Sequence, residues 1–110
     1  MFSTELKKGS MEMLILSLVE ARARHGYEIG KLIESRSEGK LTFALPSVYP
    51  ALLRLENRGW IKGRWVEKPG ERQRCFYKLT AKGRRVLAQK QENWNEYIVA
   101  VNTIMEPSGA

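Results

Sequence analysis

The early apolar residues come at helical intervals. Leu14, Ile15, Leu18 and Val19 form a stripe within residues 11–23, which predicts a first helix capped by Ser10. His25 and Gly26 interrupt it, so that His25 either ends the first helix or caps the second. Ile29, Leu32 and Ile33 then share one face of a second helix over 27–35, ending near Gly39. A short extended piece is expected at 41–44. Val48, Leu52 and Leu55 mark a third helix over about 46–58, with Ser47, Pro50, Arg54 and Asn57 on its other side and Gly59 as its stop. Pro46 and Pro50 fit if Ser47 caps this helix, because first-turn amides have no intrahelical acceptor. If the helix starts at Pro46, Pro50 sits too deep and local distortion follows.

Between 60 and 80 the period becomes two. Ile61, Gly63 and Trp65 alternate with Lys62, Arg64 and Val66, Pro69-Gly70 makes a turn, and Cys75, Tyr77 and Leu79 alternate with Arg74, Phe76 and Lys78. That is a β-hairpin. Thr80 caps a last helix over 81–105, on which Leu87, Trp94, Ile98, Val101 and Met105 form a narrow seam of coiled-coil type. Such a helix is about 37 Å long, more than a domain of this size buries alone, so it calls for a partner helix. Residues 1–9 and 106–110 read as short tails. The order predicts a mainly α fold, a winged helix-turn-helix over 1–80 with a C-terminal dimerisation helix and tail over 81–110, together one compact unit.

Charge adds a partner. Nineteen Lys and Arg oppose twelve Glu, and ten of those cations fall within 60–90 beside only Glu67 and Glu71. A basic patch so confined meets a polyanion more readily than it merely aids solubility. One cysteine excludes an internal disulfide, and a lone Cys with a lone His makes no zinc site. Cys75 reads as a small packing residue, with redox sensing, prompted by Arg72 and Arg74, as the alternative. No stretch has the length of a membrane span or the pattern of a signal peptide, and no residues form a catalytic constellation. No enzyme and no cofactor are expected, and the cytoplasm is the expected location.

Three pieces in register carry a resemblance: HGYEI at 25–29, VYPALLRLENRGWI at 48–61 and FYKLTAKGRRVL at 76–87. Over about 11–101 the chain resembles the PadR family of bacterial transcriptional regulators, in its small-subunit branch with a single C-terminal helix. Leu53 departs from the pattern, standing where relatives often carry a basic or polar side chain. The resemblance implies a homodimeric repressor that binds a pseudo-palindromic operator in double-stranded DNA. On that reading Ser47, Tyr49 and Arg54 of the third helix face DNA, with Tyr27, Lys40 and the wing residues Lys68, Arg72, Gln73 and Arg74. Several have a plainer alternative: Tyr49 packs under the hairpin, Arg54 is a solvated surface arginine or pairs with Glu56 or Glu34, and the wing cations are merely solvated. In the multidrug-sensing branch, a tryptophan in the last helix stacks aromatic ligands between subunits. Trp94, near Tyr97 and Ile98, stands at that position, so a small aromatic effector is a further candidate partner; dimer packing is its alternative. A winged helix that binds protein and not DNA is the remaining alternative.

Overall fold

The computed structural model describes residue 7 and residues 9–107. In chain order its elements are α1 (Ser10–Ala21), β1 (Arg24–His25), α2 (Gly26–Arg36), α3 (Leu45–Asn57), β2 (Ile61–Val66), β3 (Arg74–Leu79) and α4 (Ala81–Met105). Most of the tails expected at 1–9 and 106–110 lies outside the described residues.

The apolar stripes meet in one core. Ile15, Leu16, Leu18 and Val19 of α1 lie against Ile29 and Ile33 of α2 and against Val48, Ala51, Leu52 and Leu55 of α3, while Ile61, Leu79 and Leu87 close the side toward the sheet and α4. Each Leu or Ile so buried contributes roughly 1.5–3 kcal/mol. The seam assignment of Leu87 is thereby corrected: it is 1% exposed within its own chain and anchors α4 to the core.

Two expected caps form and two do not. The Nδ1 of His25 accepts the Glu28 N–H at 3.2 Å, opening α2. Thr80 Oγ1 accepts the Gly83 N–H at 2.9 Å, opening α4. Ser10 instead lies inside α1, its hydroxyl donating to the Lys7 carbonyl at 2.8 Å, and Gly9 takes the cap position at φ 86°. Ser47 is the third residue of α3, and Ala44 takes the cap position without a side-chain bond. At the far end of α3, Trp60 N–H reaches the Leu55 carbonyl at 3.0 Å and Gly59 N–H the Glu56 carbonyl at 2.9 Å. That closure needs a left-handed residue, and Gly59 supplies it at φ 77°.

The sheet has three antiparallel strands in the order β1-β3-β2, with Gly63 opposite Tyr77 and Trp65 opposite Cys75. The hairpin was expected; the third strand was not. The extended piece at 41–44 forms no ladder, and Arg24–His25 pairs with Tyr77 and Phe76 instead. Two residues are too few to show a period. What fixes them is Arg24, buried although charged: its Nε donates to the Leu18 carbonyl at 2.7 Å and its Nη1 to Glu28 at 3.0 Å, so its charge is both paired and hydrogen-bonded. The hairpin turns at Pro69-Gly70, closed by Glu71 N–H on the Lys68 carbonyl at 3.0 Å, with Gly70 at φ 75° where a side chain is disfavoured.

The α4 helix starts against α1 and then leaves the core. Every residue from Gln91 to Ala100 is exposed. The radius of gyration is 16.2 Å, against about 13 Å for a globule of this length, and the long axis extends 65 Å.

Candidate nucleic-acid interface

The wheel of α3 has three sides. Val48, Ala51, Leu52 and Leu55 face the core, and the opposite ridge carries Pro46, Pro50 and Leu53, the last 58% exposed. This outermost ridge is apolar except for the exposed Asn57 at its carboxyl end. Tyr49 lies on the flank toward the sheet; Ser47 and Arg54 lie on the flank toward α1. With the helix starting at Leu45, Pro50 falls in its interior and gives no N–H to the Pro46 carbonyl, yet the helix continues through it to Asn57. Few amides remain at the amino end to meet a phosphate. Pro46 has none, and those of Ser47 and Val48 both go to the Ala44 carbonyl, at 2.8 and 3.2 Å.

A groove of about 850 Å³ runs between the start of α2, Tyr49 and the wing, lined by Tyr27, Tyr49, Trp65, Arg72, Gln73 and Arg74 among others. Five of the nine residues expected to face DNA thus share one concavity. Tyr49 is half exposed and its ring lies across Gly26, where an added Cβ would stand 2.6 Å from Cε1. It therefore packs on α2 and shares the groove with Trp65, Cys75 and Tyr77 of the hairpin. Trp65, 64% exposed, was read only as a strand residue; its alternation with Val66 gave no sign that it faces the groove. Tyr77 and Cys75 lie deeper, and burial, then the Cys75 thiol, push the Tyr77 phenol well above its ordinary value. Glu56 accepts the Gly63 N–H at 3.0 Å and so ties α3 to β2.

Lys68 joins Arg72 and Arg74 in an adjoining polar hollow that also holds Glu71 and His25. The remaining three candidates stand apart. Lys40 is exposed in the α2–α3 loop, and Ser47 is exposed on the flank of α3 away from the groove. Arg54 pairs with neither Glu56 nor Glu34. Its partner is Glu12 of α1, at 3.8 Å, which also takes Arg58 at 3.1 Å and Lys90 at 3.9 Å. Arg58 and Lys90 flank the Trp60 ring, at 5.0 and 5.5 Å from its centroid. One carboxylate therefore gathers cations from α3 and α4 beside the helix that would read DNA.

His25 sits where two donors meet. Its Nδ1 accepts the Glu28 N–H, and its Nε2 lies 2.9 Å from Arg74 Nη1. A neutral imidazole accepts through one nitrogen only. While the cap is made, Nε2 carries the proton and faces a guanidinium that has nothing to accept it. Arg74 is thus not held by His25 and can turn to an anion. Burial, then Arg74, lowers the His25 pKa below 6.5. The unfolded chain then binds the extra proton first, so stability is full above about pH 6.5 and falls as pH drops below it. Thermal unfolding between about pH 7 and pH 5.5 should show this loss in the wild type and much less of it in His25→Asn, which keeps a capping side chain without titrating.

On α4, Trp94 and Tyr97 line a hollow of about 280 Å³ with Met13, Lys90 and Asn93. Ile98, expected beside them, does not line it. No helix among the described residues is long and apolar enough to cross a membrane.

Comparison with known proteins places this arrangement. The family model described as transcriptional regulator PadR-like matches residues 15–89. A transcriptional regulator from Clostridium thermocellum is similar at 28% identity, with a TM-score of 0.88 over 96% of this chain and 100% of that one. A PadR family regulator from Eggerthella lenta shows 27% identity and a TM-score of 0.84 over 94% and 88% of the two chains. PadR of Bacillus subtilis in complex with operator DNA shares the fold at 22% identity, with a TM-score of 0.69 over 74% of this chain and 47% of that one.

Proposed function

Because the chain belongs to the PadR-like family of transcriptional regulators, a family of regulators and not of enzymes, we propose that it is a homodimeric repressor reading a pseudo-palindromic operator in cytoplasmic double-stranded DNA. Tyr49 and the ridge of α3 enter the major groove, and Lys68, Arg72, Gln73 and Arg74 follow the backbone beside it. The observation that carries this reading is the groove, which places aromatic side chains and wing cations on one concave face. Among the described residues no carboxylate pairs with Lys68, Arg72 or Arg74. Charge left uncompensated on one face is available to phosphate. The operator complex of the Bacillus subtilis relative, alike in fold, supports the same partner. Tyr27 extends the aromatic rim of the groove, Lys40 meets phosphate from the separate α2–α3 loop, and Arg54 acts mainly by holding α3 to Glu12.

The test is protection of the DNA upstream of the protein's own gene, followed by a salt titration on the protected duplex. With six to ten phosphates neutralised per dimer, binding should weaken by about three to five decades between 50 and 200 mM salt. Equal affinity at both salt concentrations would favour a protein-binding winged helix instead.

The Trp94 hollow favours a second reading, an aromatic effector bound at the dimer centre that releases DNA. At about 280 Å³ it falls just short of the roughly 300–1,000 Å³ usual for small-molecule sites, and a second subunit would complete it. Quenching of tryptophan fluorescence by a flat aromatic compound, lost in Trp94→Ala and coupled to weaker operator binding, is the expected signature. Quenching that persists in Trp94→Ala excludes this site.

A further inference from the structure

The wing sheet has a second charged face, turned away from the groove. Gly63, Trp65, Cys75 and Tyr77 look toward α3, so the alternate residues Lys62, Arg64, Phe76 and Lys78 look outward. Lys62 stands directly opposite Lys78, and Arg64 opposite Phe76. Like charges directly opposite one another weaken an antiparallel pair. Among the described residues no carboxylate pairs with Lys62, Arg64, Lys68 or Lys78. These four side chains frame a hollow of about 500 Å³ floored by Phe76 and Ala23. A sheet face that keeps an uncompensated like-charge pair is built for something other than stability.

We propose that this outer face is a second phosphate-binding surface, which engages the backbone of duplex DNA beyond the half-site read by α3. The proposal rests on the DNA-binding reading given above. Continuity points to duplex phosphate over an acidic protein, because Lys68 lines both this hollow and the one it shares with Arg72 and Arg74. Spacing agrees. Alternate residues on a strand stand about 6.8 Å apart, and phosphates that rise about 3.4 Å per step while winding round the duplex lie roughly 7 Å apart along the backbone. A backbone running along β2 therefore meets Lys62 and Arg64 at successive phosphates.

The experiment compares the minimal protected operator with the same duplex extended by about ten base pairs on each side, each titrated with salt. Three cations in each of two subunits should steepen the slope of log affinity against log salt by about 5 on the longer duplex. In Lys62→Gln/Arg64→Gln/Lys78→Gln the two duplexes should give the same slope, while binding to the minimal operator stays as in the wild type. Arg64→Gln alone should remove about a third of the difference. Equal slopes for the wild type on both duplexes overturn the proposal, as does a triple variant that weakens both duplexes equally. Binding without salt dependence on either duplex overturns the DNA reading itself, and this proposal with it. Relief of the Lys62–Lys78 opposition should leave the triple variant at least as resistant to heat as the wild type; a lower melting temperature would show that these side chains serve the fold.

Discussion

Gly83→Ala is expected to cost the protein a large part of its stability, although alanine is the better helix former. In the third position of α4, Gly83 is buried, and an added Cβ would stand 2.0 Å from the Trp60 carbonyl oxygen and 2.7 Å from Leu79 Cδ1. The oxygen cannot withdraw without loss. It accepts the Thr80 N–H at 3.0 Å and lies 3.0 Å from the Thr80 hydroxyl, which itself caps α4 through Gly83 N–H. The methyl group therefore forces apart the joint between the end of α3 and the start of α4. Helix propensity favours alanine by about 1 kcal/mol, but overpacking costs about 1–3 kcal/mol even against movable side chains. Against fixed backbone, a net loss of about 3 kcal/mol or more is expected, out of a total of roughly 5–15 kcal/mol. Gly30→Ala is the control. Its Cβ would meet only Leu45 Cδ2, at 3.5 Å, so this variant should match or exceed the wild type by up to about 1 kcal/mol. Urea unfolding of the two variants separates steric from propensity effects. A Gly83→Ala protein as stable as the wild type would show that the joint gives way easily.

The same joint shows what the sequence could and could not convey. The change of period at Trp60, the glycine stop at Gly59 and the cap at Thr80 are local signals, and all three stand as read. Ser10 and Ser47 misled because a serine near a helix start is as readily placed one to three residues inside it. There the neighbouring Gly9 and the rigid Pro46 decide where the first turn begins. The β1 strand was invisible because it is held by Arg24 reaching the Leu18 carbonyl and Glu28, contacts no two-residue pattern encodes. The ion-pair alternative for Arg54 pointed to Glu56 and Glu34 and missed Glu12 for a similar reason. Glu12 lies far back in the chain and comes near only once α1 crosses α3. The wing cations were legible as charge and the alternation as two faces, but that Lys62 stands opposite Lys78 appears only with the register of the hairpin.

Replacing Trp94 and Ile98 together by glutamate should turn the proposed dimer into a folded monomer. Trp94 is 43% exposed and Ile98 36% in the isolated chain, and with Val101 and Met105 they recur every three or four residues along the half of α4 that leaves the core. An apolar seam on a projecting rod has little reason to stay in water, and a second copy would cover it. Two carboxylates per subunit on that seam would lose their hydration on pairing and repel one another across the two-fold axis. The monomer's own core should not feel the change, since Leu87 and Gly83, which hold α4 to the rest of the chain, lie one or more turns nearer the amino end. Circular dichroism and half-site binding should therefore resemble the wild type under conditions where sedimentation reports a single chain. Affinity for the full operator should fall by about two to four decades, because each reading head then binds without the effective concentration that its twin supplied. A variant that remains dimeric would place the interface elsewhere on the molecule. A monomer with undiminished full-operator affinity would show that pairing through α4 contributes nothing to recognition.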